Sequence, residues 1–346
     1  MDERVVEIAP AMRARSPRLR PRTQTSRALA LLFLLVSLLS WPLLLLSCSS
    51  SASLSPLPSP RIIGSYGKGD GLFTKPRAIA VRADGGCAVV DRSGRIQLFS
   101  ADGKVELSWR LPEWQEGKPI DCTFSPWGTL LVADTHYGRV LEFSLGGAEL
   151  RRLGESEDLE VVRGIAVGLD ETIYIADYGA RDRIHRFTRT GEYLGFFGAR
   201  GDGPGEFLRP EGLAIGPDGD LFVVDCGHHR IQRFRPDGTF VESFGEYGFE
   251  EGQLNLPMDI TSAPDGSLYV VDFQGNRVQR FTTDGDCLGA LGGAGNEPGR
   301  LATPRGVAVR LDPAGHRIYI ADTNNHRVQS FVWPGTRGVG AGGGRG

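Results

Sequence analysis

Six aspartates recur along the chain, each followed four to six residues later by an arginine. The pairs are Asp91 and Arg95, Asp134 and Arg139, Asp177 and Arg183, Asp225 and Arg230, Asp272 and Arg277, and Asp322 and Arg327. Carboxylates and guanidinium groups could serve acid–base chemistry, metal binding or anion recognition. The repetition argues for a structural task, because a catalytic centre needs residues that differ between copies. Each Asp is expected to accept backbone N–H bonds in the loop that follows it and to pair with its Arg. The histidines are weaker signals. His136, His228, His229 and His326 fall in these loops, His185 in a strand and His316 in a turn. The adjacent pair His228 and His229 cannot easily turn both rings onto one tetrahedral metal. Neither a G-x-S-x-G elbow, a P-loop nor an H-E-x-x-H helix occurs in the sequence. The sequence therefore gives no catalytic residues, no metal ligands and no cofactor.

These pairs must be held by regular elements. Each Asp closes an apolar run, as in Leu221-Phe-Val-Val-Asp225, and each Arg opens another, as in Arg230-Ile231. The aspartates lie 43, 43, 48, 47 and 50 residues apart. A period in the forties with several short strands per unit points to propeller blades. The fourth unit reads as Gly212–Ile215 (strand a), Leu221–Val224 (b), Ile231–Phe234 (c) and Phe240–Phe244 (d). Its turns, Pro217-Asp-Gly219 and Pro236-Asp-Gly238, preset φ at Pro, bond ahead from Asp and take positive φ at Gly. The apolar b strands suit burial between adjacent blades.

On these residues the chain resembles the NHL repeat family over roughly residues 62–333, with a close match to its Gly-rich link at Phe197-Gly-Ala-Arg-Gly-Asp-Gly-Pro-Gly-Glu-Phe-Leu-Arg-Pro210. The resemblance implies an all-β fold, a six-bladed β-propeller of four-stranded antiparallel blades. Repeats 2 and 3 match least well: repeat 2 has Asp121-Cys-Thr-Phe124 where others have Gly-Ile-Ala-Val. The last repeat stops at strand c, so Ile62–Tyr66 is expected to pair onto Val328–Val332 and close the ring. In such a blade the b–c loops and d–a links share one end, the candidate binding face. Loop-face candidates are His136, Tyr178, His228, His229 and Phe273. Channel-mouth positions before each strand a hold Arg77, Ile120, Arg163, Glu211, Met258 and Arg305. Of these, Arg77, Arg163, Glu211 and Arg305 are the binding candidates, suited to an anionic group. NHL-like amidating lyases, which cleave peptidyl-hydroxyglycine, hold zinc with channel-mouth histidines, and no histidine stands at these positions.

Glycine is 48 of 346 residues, without the every-third-residue period of collagen. Residues 1–27 form a basic leader, and 28–47 are uncharged and leucine-rich, long enough to approach the ~30 Å of a membrane core. Leu45-Leu-Ser-Cys48 resembles a bacterial lipoprotein signal, with Cys48 as the lipidated residue; an uncleaved signal anchor is the other reading. Either places the rest outside the cytoplasm, tethered to the bacterial envelope membrane. Residues 48–60 read as a Ser/Pro-rich linker, 61–333 as the propeller and 334–346 as a disordered Gly-rich tail. Seven arginines and three acids precede residue 48, leaving 32 basic against 39 acidic residues, a charge of −7. That balance and export speak against nucleic acid as a partner. The expected partner is a protein, peptide or glycan on the loop face, bound without catalysis; a metal-dependent lyase or hydrolase is the alternative. Pairing among Cys87, Cys122, Cys226 and Cys287 is left open by their spacing.

Overall fold

The computed structural model describes residues 59–116, 118–154 and 159–334. The leader, the apolar segment, Cys48 and residues 335–346 lie outside them. No helix among the described residues is long and apolar enough to cross a membrane.

Six four-stranded antiparallel sheets make up the ring. Blade 1 is Pro76–Val81, Cys87–Asp91, Arg95–Phe99 and Val105–Arg110. Blade 2 is Pro119–Phe124, Thr129–Asp134, Arg139–Ser144 and Glu149–Leu153, and blade 3 is Val161–Val167, Ile173–Tyr178, Arg183–Phe187 and Tyr193–Phe197. Blade 4 is Pro210–Ile215, Leu221–Asp225, Arg230–Phe234 and Phe240–Phe244, and blade 5 is Pro257–Ser262, Leu268–Asp272, Arg277–Phe281 and Cys287–Gly292. Blade 6 takes Gly306–Asp312, Gly315–Asp322 and Arg327–Pro334 from the end of the chain and Arg61–Ile63 from its start.

Strand a lies innermost and strand d outermost. The b strands are apolar on both faces because both are covered: Leu221–Asp225 and Leu268–Asp272 are buried along their whole length. The core is therefore divided into six clusters, one at each junction between blades. Each d–a link adds an apolar plug to these junctions. Phe73, Phe207, Leu254 and Leu301 are fully buried, and each ends a short parallel bridge within its own link.

Ring closure is shorter than the sequence suggests. Arg61, Ile62 and Ile63 pair with Ser330, Gln329 and Val328, and the strand stops there. Gly64 has φ +74°, and a Cβ at that position would run into the ring of Phe73. The turn at Gly64 takes Ser65 and Tyr66 into the link, where Tyr66 bridges Phe73 instead of the last strand. At the other end, that last strand continues past Val332, with Trp333 opposite His316.

Ile63 sits in the cluster joining blades 6 and 1. Ile63→Asp is expected to cost at least about 3 kcal/mol by burying a charge at the closure. It should also expose the edge of Arg327–Pro334 and promote concentration-dependent association. Thermal melting and light scattering read both effects; an unchanged, monomeric protein would contradict this account of closure.

Candidate functional site

The repeat aspartates fix how each link enters the channel. Their carboxylates accept the backbone N–H of a link residue just ahead of strand a. The donors are Thr74 to Asp91 (2.9 Å), Lys118 to Asp134 (3.1 Å), Leu208 to Asp225 (2.8 Å), Asn255 to Asp272 (2.8 Å) and Ala302 to Asp322 (2.7 Å). In blade 3, Glu160 and Val161 both donate to Asp177. The main donors are thus the incoming links, with the b–c loop contributing only in places, such as Ser93 to Asp91. Paired guanidinium groups lie 3.3 Å (Arg95), 3.2 Å (Arg139), 2.8 Å (Arg230), 2.7 Å (Arg277) and 2.8 Å (Arg327) from their aspartates. Blade 3 departs from the expected pairing. There Arg183 lies over the Phe196 ring at 4.1 Å, and the His185 Nε2 stands 3.5 Å from Asp177.

Sequence reasoning missed a third member of this clamp. Gln97, Gln232, Gln279 and Gln329 stand two residues after the arginines of blades 1, 4, 5 and 6 and are buried. Each amide accepts from a link glycine and donates to a link carbonyl; Gln232 takes Gly205 N–H at 3.0 Å and donates to the Glu206 carbonyl at 2.7 Å. An Arg-x-Gln spacing, with a polar residue inside an apolar strand, was the available signal.

A second bracket joins neighbouring blades. His229 Nδ1 accepts Leu256 N–H at 3.0 Å, Asn276 Oδ1 accepts Thr303 N–H at 2.8 Å, and His326 Nδ1 accepts Lys75 N–H at 3.1 Å across the closure. The residues so held have left-handed backbone, φ 53° at Leu256, 47° at Thr303 and 56° at Lys75. Such conformations cost about 1–2 kcal/mol for a residue with a side chain, and these bonds offset part of that. Each is followed by a proline that sends the chain down into the channel.

At that entrance Arg77, Arg163, Glu211 and Arg305 converge around a cavity of about 250 Å³, with Ile120 and Met258 on its apolar walls. Arg163 lies 3.6 Å from Glu211 and over the Tyr178 ring at 4.4 Å, and it donates to the Tyr178 hydroxyl. Arg305 lies over the Phe273 ring at 4.9 Å. Tyr178 and Phe273 therefore back two of the mouth's arginines, although neither ring lines the cavity itself. The other loop-face candidates are engaged elsewhere. His136 faces Glu116 at 3.5 Å, His228 is held between Asp225 and Asp202 at 2.9 Å each, and His229 serves the bracket.

The mouth also holds two cations that sequence reasoning passed over, Arg209 and Lys118. Arg209 is 3.3 Å from the other oxygen of Glu211. Burial, with the positive charges of Arg305, Arg92 and Arg163, lowers the Arg77 guanidinium to about 10. Burial and neighbouring arginines also lower Arg305, against the pull of Glu211.

Below the arginines the channel narrows at Asp121 and Asp259, which also line the cavity of about 150 Å³ at the far end. Each spans two blades. Asp121 accepts from Cys122 and from Ile165 of blade 3, and Asp259 from Ile260 and from Val307 of blade 6, all at 2.8 Å. Desolvation pushes Asp121 up to about 7 and Asp259 well above the carboxylate range, with Asp121 and Glu211 adding repulsion at Asp259. The misfit of repeat 2 at Asp121 was the sequence signal for this pair.

Among the described residues, no three or more His, Cys, Asp or Glu side chains stand together as a metal site. All four cysteines there are free thiols, and burial raises Cys87 and Cys226 to about 12.

The fold and mouth define a six-bladed propeller with an arginine-lined channel. The model of the NHL repeat matches residues 207–234 and 301–331, in blades 4 and 6. The chain is thus a six-bladed β-propeller that carries NHL repeats in blades 4 and 6. No curated protein sequence matches it. Among solved structures it is similar to virginiamycin B lyase from Staphylococcus aureus, with 16% identity, TM-score 0.55, and coverage of 75% of this chain and 95% of that one. A gluconolactonase from Xanthomonas campestris shares 16% identity at TM-score 0.60, covering 80% and 99%. A nidogen/laminin complex structure shares 20% identity at TM-score 0.53, covering 72% and 85%. At these identities the likeness is one of fold.

The raised carboxylates give a signed pH dependence. Asp121 and Asp259 bind protons in the folded state that the unfolded chain has released above about pH 4, so stability falls as pH rises from there through about 7. Asp259→Asn removes one such group and is expected to flatten that decline, measured by urea unfolding across the range. A slope unchanged by the substitution would refute the assignment.

Proposed function

We propose that this propeller is a non-enzymatic binding module. Residues 28–47 export and tether it to the envelope membrane, through a lipidated Cys48 or an uncleaved anchor. Its loop face docks a protein, peptide or glycan, and an acidic group of that ligand seats in the channel mouth. The observation that carries this is the excess of guanidinium groups over carboxylates at the mouth: Arg77, Arg163, Arg209 and Arg305 surround the single Glu211. The exported portion is acidic overall, so the positive field is local and focused by the channel walls. Guanidinium forks match carboxylate and phosphate oxygens, and the stacked rings of Tyr178 and Phe273 hold two of them in place.

Metal-dependent lyase chemistry is less well supported. The mouth presents arginines, a glutamate, Ile120 and Met258 where an amidating-lyase-like site would need histidines, and the histidines of the loop face are engaged elsewhere.

The test is a peptide and glycan array in which each acidic ligand is printed beside its neutral amide or ester. The full chain should retain a set of acidic ligands. An R163A/R305A double variant should lose them by about tenfold or more, whereas Arg189→Ala, distant from the mouth residues, should not. Equal retention by both variants would rule out the mouth as the binding site.

A further inference from the structure

The guanidinium groups at the mouth are unequally satisfied. Arg163 and Arg209 divide the two oxygens of Glu211. Arg305 has the face of Phe273 but no carboxylate within ion-pair distance among the described residues. The half-buried Arg77 side chain makes no hydrogen bond or ion pair there, and the charges acting on it are three other arginines and the carboxylate of Asp91. Two half-buried guanidinium groups thus stand without an ion pair among the described residues, and both face the same cavity of about 250 Å³. Repulsion of this kind is relieved when a bound anion supplies the missing charge.

We propose that the mouth selects small dianions over monoanions, one negative charge being matched to Arg77 and one to Arg305. This rests on the reading of the mouth as an anion site. The shared chemistry is two negative charges on oxygens within one short group, as in a dicarboxylate or a phosphate monoester. Two further features fit such a ligand. Ile120 and Met258 offer apolar contact to a short carbon skeleton between the charges. The cavity lies below the roughly 300–1,000 Å³ of sites for larger organic ligands, which favours a compact anion.

The experiment is calorimetric titration of the full chain in detergent near neutral pH, at low and constant ionic strength. The probes form two matched pairs: succinate against butyrate, and methyl phosphate against dimethyl phosphate. At least one dianion is expected to bind about tenfold or more tightly than its monoanionic partner. A preference confined to succinate identifies the source as a dicarboxylate, and one confined to methyl phosphate as a phosphate monoester. Arg77→Gln should abolish the preference while monoanion binding persists, and Arg77→Lys, which keeps the charge, should restore much of it. Equal binding of mono- and dianions that still depends on Arg163 and Arg305 would overturn the dianion proposal and leave the anion site standing. No binding of any probe would overturn both. The wild-type ratios decide the matter even where a variant fails to fold.

Discussion

The structure depends on one repeated interaction, a buried carboxylate that ties the end of strand b to the link entering the same blade. A propeller blade has no helix to fix its inner edge, and its links are long and irregular. The backbone N–H groups of those links need acceptors, because burial without a partner costs about 1–3 kcal/mol each. Asp225 supplies one to Leu208, while Arg230 and Gln232 donate to the carbonyls of Gly203 and Glu206 just before it in the link. A charge pair buried in this way adds little net stability by itself, since desolvation offsets attraction. Its effect is on register: the link can satisfy its polar groups in only one arrangement, and that arrangement delivers the next residues to the channel.

Side chains at the channel follow from this delivery. Once the clamp and bracket hold Lys75, Leu256 and Thr303 in left-handed conformations, the residues after the following prolines must face the axis. Six blades leave room for only a few side chains there. Small residues at Ala78, Gly164, Gly212 and Gly306 let the inner strands approach closely; a Cβ at Gly164 or Gly306 would meet neighbouring backbone. The two larger exceptions, Asp121 and Asp259, bridge blades and set the throat. The arginines sit immediately above this constriction, half-buried and close to one another, and this makes the mouth responsive to an anion.

The aspartate–arginine period, the strand order and the existence of a closing strand were legible in the sequence because each rests on local patterning repeated in phase. The glutamine of the clamp was visible in principle, as a polar residue at a fixed offset, but it is lost in blades 2 and 3, where Leu141 and His185 stand instead. The role of His229 was not legible. Its neighbour His228 has the same side chain and lies in the same loop, yet one braces the next blade and the other binds its own aspartate. One residue of loop geometry separates them.

By itself the sequence determined the number of blades, the strands within them and the face that gathers the loops. These follow from hydrophobic period and turn chemistry, which act over a few residues. The tertiary structure alone decided which residues meet. It cut the closing strand at Ile63, because the glycine after it turns against Phe73. It also brought Phe273 of blade 5 to Arg305 of blade 6 and set Asp121 with Asp259 in the throat. Tyr178 meets Arg163 within blade 3 and Phe273 reaches the arginine of the next blade, but Asp121 and Asp259 lie three blades apart in sequence, and only the closing of the ring, which converts sequence distance into angular position, brings those two together.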